Sequence, residues 1–190
     1  PHLAVDPVVV AAHIVTALQT LVSREVDPAQ PAVLTVGSLV AGSAFNVIPD
    51  TAILKGTVRT YSPVVQDQLQ RRLADVAAGV ALAMRAEATC RYERVFPALV
   101  NPQPSVDVVR AVAADLLGPD ALTERAMLMG SEDFSEVLNR VPGAMFYLGV
   151  RARDWAEPRP IHSPLFQMDE AALPIGAAVL AGVALRTLAG

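Results

Sequence analysis

The residues that could do chemistry are few: three histidines, one cysteine and a thin scatter of carboxylates. His162 is the most suggestive. It sits in RPIHSPLFQMDE, Arg159 to Glu170, a proline-flanked loop between an apolar run and a long apolar tail. An imidazole there could ligate a divalent cation or carry a proton. The plain alternative is an exposed loop side chain. A metal cage needs three or four ligands, and His2 and His13 are the only other imidazoles. His13 falls off the apolar stripe of a helix, where a structural role suffices. No HExxH or CxxC spacing occurs, and Cys90, the one cysteine, excludes an internal disulfide and a Cys-rich zinc site. If His162 is a ligand, its companions are not recognisable in this sequence.

Two further stretches carry polar groups at element ends. In GSEDFSEV, Gly130 to Val137, Ser131 can cap a helix whose first turn bears Glu132 and Asp133. Acids there suit the helix dipole; the functional alternative is a polar loop facing a cleft. In GSAFNVIPDTAILKGTVRT, Asn46 precedes Val-Ile-Pro and Arg59 alternates with Thr57 along a strand. Arginine grips carboxylates in bidentate fashion. The alternatives are a turn-forming Asn46 and an Arg59 on a solvated sheet face.

The elements that must position these residues follow from periodicity. Asp6-Pro7 is an N-cap with proline behind it. Val8, Ala11, Val15, Leu18 and Val22 recur at helical spacing to about Arg24. Residues 32–41 and 51–60 read as an antiparallel strand pair. Ser62-Pro63 caps a long helix over residues 64–87, and residues 89–96 read as another strand. The order α-β-β-α-β is a βαββαβ ferredoxin-like unit lacking its first strand. That strand would be central, so its absence leaves backbone groups unpaired. After Asn101-Pro102 come a helix from Ser105 to Leu117, a short possible strand over 124–129, a helix opened by Ser131, and a strand over 144–150. A loop over 151–168 and a last helix over 173–188 complete the chain. Alternating β and α suggests part of an α/β layer.

Composition bounds the class. Of 190 residues, 53% are hydrophobic, enough for a sizeable core. The net charge of −4 and the absence of a basic stripe argue against nucleic acid. The apolar run from Leu173 to Leu185 is shorter than the roughly 18 residues a membrane span needs, so it reads as a buried helix and no membrane is expected. No signal-peptide pattern stands at the N-terminus, and a cytoplasmic protein is the simplest expectation. Starting at Pro1 and running straight into a helix, the sequence reads as part of a longer polypeptide.

The segments PHLAVDPV, GSAFNVIPDTAILKGTVRTY, MGSEDFSEVLNRVPGAMFYLGV and IHSPLFQMDEAALPIGA, in this order and spacing, resemble the M20 family of metallopeptidases. They look most like its amidohydrolase branch, with hippurate hydrolases and N-acyl-amino-acid deacylases. The resemblance implies an α+β chain. Residues 1–97 would be a ferredoxin-like lid or dimerisation domain entered after its first strand. Residues 98–190 would be the C-terminal part of a zinc-peptidase-like α/β catalytic domain. It implies metal-dependent hydrolysis of N-acyl amino acids or small peptides, with a divalent metal (Zn, Mn, Co or Ni) and a homodimer formed through the lid. His162 matches the family's last metal ligand. Asn46 and Arg59 match lid residues that contact substrate, often across the dimer; Glu132 and Asp133 match residues near the cleft, and Ser131 beside them is a further cleft candidate. His2 matches a recurring Pro-His without an assigned role. The general base and the remaining ligands belong to a segment upstream, so the chain by itself is expected to be inert. Two other expectations compete: a short dimerisation or ligand-binding module without catalysis, and a regulatory domain that senses amino acids.

Overall fold

The computed structural model describes residues 1–189. Its contacts divide the chain into two units, Pro1–Ala98 with Leu128–Glu132, and Leu99–Met127 with Asp133–Gly190.

The first unit sets two helices on one face of a β-hairpin. Helix α1 spans Pro7–Thr20, with Asp6 as N-cap accepting from the Val8 N–H at 2.9 Å. Val10, Ala11, Ile14 and Leu18 are its buried residues, the spacing of one helical stripe. The helix continues into a π turn, Leu21–Glu25. Strands β1, Ala32–Ala41, and β2, Ala52–Thr60, pair antiparallel, with Ala32 opposite Thr60 and Ala41 opposite Ala52. A bulge between Val36 and Ser38 interrupts the register. Helix α2, Pro63–Ala83, starts at Ser62, whose hydroxyl accepts from the Val65 N–H. Leu18, Leu21, Val65 and Leu69 centre the core, with Leu34, Val36, Leu54 and Val58 of the hairpin packed against it. Arg72 of α2 donates to both carboxylate oxygens of Glu25 at 2.8 and 3.0 Å. That fork holds the Glu25 carboxyl below its ordinary range.

Two expectations for this unit need correction. Helix α2 stops at Ala83 rather than running to Glu87. Arg85 adopts φ +62°, and the N–H groups of Arg85 and Ala86 bond back to the carbonyls of Leu82 and Ala81. This is a Schellman ending with arginine where glycine is usual. Residues 89–96 run without any strand pairing among the described residues. Their backbone makes no hydrogen bond to the backbone of another segment among the described residues. They are held by side chains instead, with Arg94 donating to Asp67 at 2.6 Å and to Gln70 at 2.6 and 2.9 Å.

The second unit holds helices α3, Gln103–Leu117, α4, Phe134–Leu138, and α5, Ala172–Ala189. Helices α3 and α5 pack closely. A Cβ on Gly182 would lie 2.6 Å from Val112 Cγ1, and Arg186 pairs with Asp115 at 2.6 Å. Helix α3 begins before Ser105, with Pro102 at the N-cap. The expected strands over 124–129 and 144–150 form no sheet among the described residues. Neither finds an edge to pair with; Asn101 substitutes for one locally, exchanging hydrogen bonds with the Met145 N–H and C=O at 2.9 and 2.8 Å.

The last helix also differs from expectation. It is 18 residues long, and only Ala172 and Val179 are buried, because α3 covers one side and no sheet lies beneath. By length and hydropathy alone both Pro7–Glu25 and Ala172–Ala189 could cross a membrane. The first of these buries its apolar stripe in the core of its own unit.

Candidate functional site

Arg59 lies near the C-terminal end of β2 and is half-buried. Its guanidinium donates to the Met129 carbonyl at 2.9 Å and to the Ser131 hydroxyl at 3.2 Å. Two residues on, the Tyr61 hydroxyl donates to the Leu128 carbonyl. The hairpin end thus clasps residues 128–132, which belong to the first unit although they are distant in sequence. The arginine is therefore spent, at least in part, on positioning this segment. The Tyr61 partner was not legible from sequence, because a tyrosine beyond a strand end carries no pattern of its own.

The clasp makes a direct prediction. Hydrogen bonds from a charged donor contribute about 1.5–3 kcal/mol, less where solvent competes. Arg59→Ala should raise the amide exchange rate across residues 128–132 about tenfold, and Tyr61→Phe should raise it less. Exchange unchanged in both variants would mean the segment is held by something else.

Asn46 stands in the exposed turn that joins β1 to β2, beside Phe45, the most exposed large side chain of the turn. Arg59 pairs with Val33 at the far end of the same hairpin. Arg59 is seven residue steps along the strand from Ala52, about 23 Å at roughly 3.3 Å per residue. One chain therefore does not present Asn46 and Arg59 to the same small ligand.

The remaining candidates are dispersed. Ser131 is exposed and, contrary to expectation, caps no helix; the helix starts later, with Asp133 at the N-cap of α4 and no side-chain cap bond. Two residues, Glu132 and Asp133, separate the serine from Phe134, the first helical residue, so the N-cap position falls to Asp133. Glu132 is half-buried and Asp133 exposed, and the boundary between the units falls between them. His13 is exposed, with Nδ1 2.9 Å from the Val9 carbonyl one turn back, as a helix-surface histidine should be. His2 lies exposed near the N-terminus.

His162 occupies a distinctive backbone position. Its φ is +64°, and it is one of two non-glycine residues with positive φ among the described residues. Histidine tolerates that region better than bulky residues, yet such conformations concentrate at functional sites. The surrounding loop is built to hold it. Arg151 donates to the Trp155 and Ala156 carbonyls at 2.6 and 2.8 Å, and Arg159 lies 4.5 Å over the Trp155 ring. After the histidine, Ser163 closes a turn through its hydroxyl to the Leu165 N–H at 3.1 Å. Asp169 then ties the loop back to Val150 at 2.8 Å. The imidazole is exposed. No group of three or more His, Cys, Asp or Glu able to hold a metal exists among the described residues. A metal cage does not fit the residues present, which offer at most one imidazole toward it.

The profile of peptidase family M20/M25/M40 matches residues 2–186. The chain belongs to this M20 family. An IAA-amino acid hydrolase of Arabidopsis thaliana is 39% identical over 194 residues, covering 99% of this chain and 43% of the relative. An N-acetyl-L-cysteine deacetylase of Bacillus subtilis is 36% identical over 176 residues, covering 91% and 40%. Among solved structures, a Bacillus subtilis dinuclear metal binding peptidase of the M20 family superposes with a TM-score of 0.77 at 27% identity, covering 97% of this chain and 46% of that one. The M20 chain thus has an α+β fold like that of M20 peptidase structures, and it spans less than half the length of these relatives.

Proposed function

We propose that the M20 chain is the lid and C-terminal catalytic portion of a hydrolase that cleaves the amide bond of N-acyl amino acids or small peptides. The observation that carries this reading is the family match over residues 2–186, supported by relatives named as an amino-acid-conjugate hydrolase and a deacetylase. In this reading residues 1–97 are a ferredoxin-like lid whose first strand is not among them. Residues 98–190 are the C-terminal part of the catalytic domain. A divalent metal (Zn, Mn, Co or Ni) would take His162 as one ligand, and the other ligands and the general base would come from polypeptide outside these residues. Asn46 would reach a substrate held by a second copy, which accounts for its distance from Arg59 along one hairpin. The protein would act as a homodimer through the lid, in keeping with the exposed apolar residues Val33, Leu39, Val40 and Ile53 on the hairpin. The lone unpaired Cys90 fits a reducing compartment, so we place the protein in the cytoplasm.

The test has two arms. The 190-residue chain, supplied with Zn, Mn, Co or Ni, should hydrolyse none of a panel of N-acyl amino acids. The whole protein should hydrolyse at least one, and His162→Ala should lower its metal content and reduce its kcat at least a hundredfold. Activity in the short chain, or an unimpaired histidine variant, would overturn the assignment of roles. A second reading, a dimerisation module without catalysis, draws on the same exposed apolar residues. Light scattering that finds a strict monomer at high concentration would remove it.

A further inference from the structure

Two arginines of the first unit are anchored in the same way, and one of them shows what the other can take. Arg72 ties Nη1 to Asp75 at 3.1 Å and turns its Nε–Nη2 edge onto the two oxygens of Glu25, at 2.8 and 3.0 Å. This is the side-on fork by which arginine matches a carboxylate. Arg59 ties Nη1 to the Met129 carbonyl at 2.9 Å and to the Ser131 hydroxyl at 3.2 Å. Its Nε and Nη2 donate to no protein acceptor among the described residues. Arg59 therefore has the anchor, and its fork is left for a carboxylate from elsewhere.

The surroundings favour an anion there. Leu54 and Val58 of β2 pack against the core, so by alternation Lys55, Thr57 and Arg59 lie on the opposite face of the strand. Facing Arg59 and Thr57 on β1 stand Val33 and Thr35, neither of them acidic. Lys55 adds a second cation to that face, four steps or about 13 Å away at roughly 3.3 Å per residue. Arg59 is half-buried, so an ion pair there is weakened less by water than one on an open surface. The anchor is itself fixed, because Tyr61 donates to the carbonyl of Leu128, the residue before Met129. A long side chain loses rotamer freedom when it grips a ligand, and acceptors that hold it beforehand remove part of that cost.

We infer that Ser131 and the Met129 carbonyl are positioning groups for Arg59, holding Nη1 so that the Nε–Nη2 edge receives a carboxylate. Resting on the hydrolytic reading above, the ligand is the carboxylate end of an N-acyl amino acid. Ser131 then sets affinity without touching the ligand, and the bonds that tie down residues 128–132 also aim the arginine.

The readout is the Arg59 Nε–H signal, followed by NMR in the 190-residue chain and assigned by its loss in Arg59→Lys. The probe is acetate. Acetate should shift that signal saturably, beyond any shift produced by sodium chloride at equal ionic strength, and acetamide should not. Ser131→Ala should weaken acetate binding about fivefold, the order of one hydrogen bond. Ser131→Thr, which keeps the hydroxyl, should restore it. The Arg72 Nε–H signal should stay in place throughout, since a variant that merely loosened the unit would disturb the Glu25 fork as well. Unchanged acetate affinity in Ser131→Ala would overturn the positioning role and leave Arg59 as a carboxylate grip. Weakening that Ser131→Thr does not reverse, or that moves the Arg72 signal too, would overturn it as well. No acetate response at Arg59 in the unmodified chain would remove the grip itself. An Arg59 signal displaced by Glu132→Gln before any acetate is added would give the fork to the chain's own carboxylate, with the same consequence. None of these readouts involves turnover, so the hydrolytic reading stands or falls separately, on the activity assays above.

Discussion

Gly56→Ala is expected to destabilise the first unit by about 3 kcal/mol, at the upper end of overpacking costs. A Cβ at this position would lie 2.3 Å from the Thr35 carbonyl oxygen and 3.2 Å from Val36 Cα. Both are backbone atoms and cannot swing away as a side-chain tip would. Gly56 faces Val36 immediately before the bulge that precedes Ser38, where the extra residue bends β1 toward its partner. The methyl group therefore forces the strands apart at the point where register is set. Since one slipped residue turns a whole strand inside out, the loss should spread along the hairpin. Urea unfolding should show the lowered midpoint, and amide exchange should accelerate through both β1 and β2. Gly79→Ala is the control. Nothing lies within 4 Å of its added Cβ, and it sits inside α2, so it should stabilise by about 0.5–1 kcal/mol. A Gly56→Ala chain with an unchanged midpoint would mean that the close approach at the bulge is not real.

The same hairpin shows how far local pattern reaches. Asp6-Pro7 and Ser62-Pro63 were readable as helix starts because a cap is a contact between residues two or three apart. Strands β1 and β2 were readable from alternation, since Leu34 and Val36 turn inward on one strand and Leu54 and Val58 on the other. What sequence could not give was anything that depends on a partner. Residues 89–96, 124–129 and 144–150 have strand composition, yet a strand is completed only by an edge to pair with, and none reaches them. The end of α2 departs from the periodic pattern for a related reason. Arginine at the positive-φ position of a Schellman ending offers no glycine signal.

The candidate site divides along the same line. His162, Arg59 and Asn46 were identifiable by residue type and by resemblance. Their geometry was not. The positive φ of His162 has no signal in the residue type, and the Arg151 and Arg159 contacts to Trp155 in the same loop are made by side chains with no pattern of their own. The engagement of Arg59 with Met129 and Ser131 spans some 70 residues of sequence. Long-range contacts of this kind convert a residue that resembles a ligand-gripping arginine into one that also holds a loop.

The largest single side-chain effect should come from Leu69→Ala. Leu69 is fully buried, at 0% exposure, on the core-facing stripe of α2. It shares its cluster with Leu18, Leu21 and Val65, and the hairpin's Leu34 and Val58 pack against that cluster. Removing its isobutyl group forfeits burial and leaves a cavity, a combined cost of about 3 kcal/mol within the 2–5 found for such truncations. For a unit of about 100 residues, each kcal/mol shifts the melting temperature by about 4–8 °C, so the Tm should fall by more than about 10 °C. Leu82→Ala on the same helix is the matched comparison. Leu82 is 77% exposed, and its truncation should change stability by no more than about 0.5 kcal/mol. The pair differs only in which way the side chain points, so helix propensity, nearly equal in the two substitutions, cancels. Equal losses in the two variants would require α2 to be rotated about its axis, and the floor beneath β2 would then be built from different residues than Leu73 and Ala77.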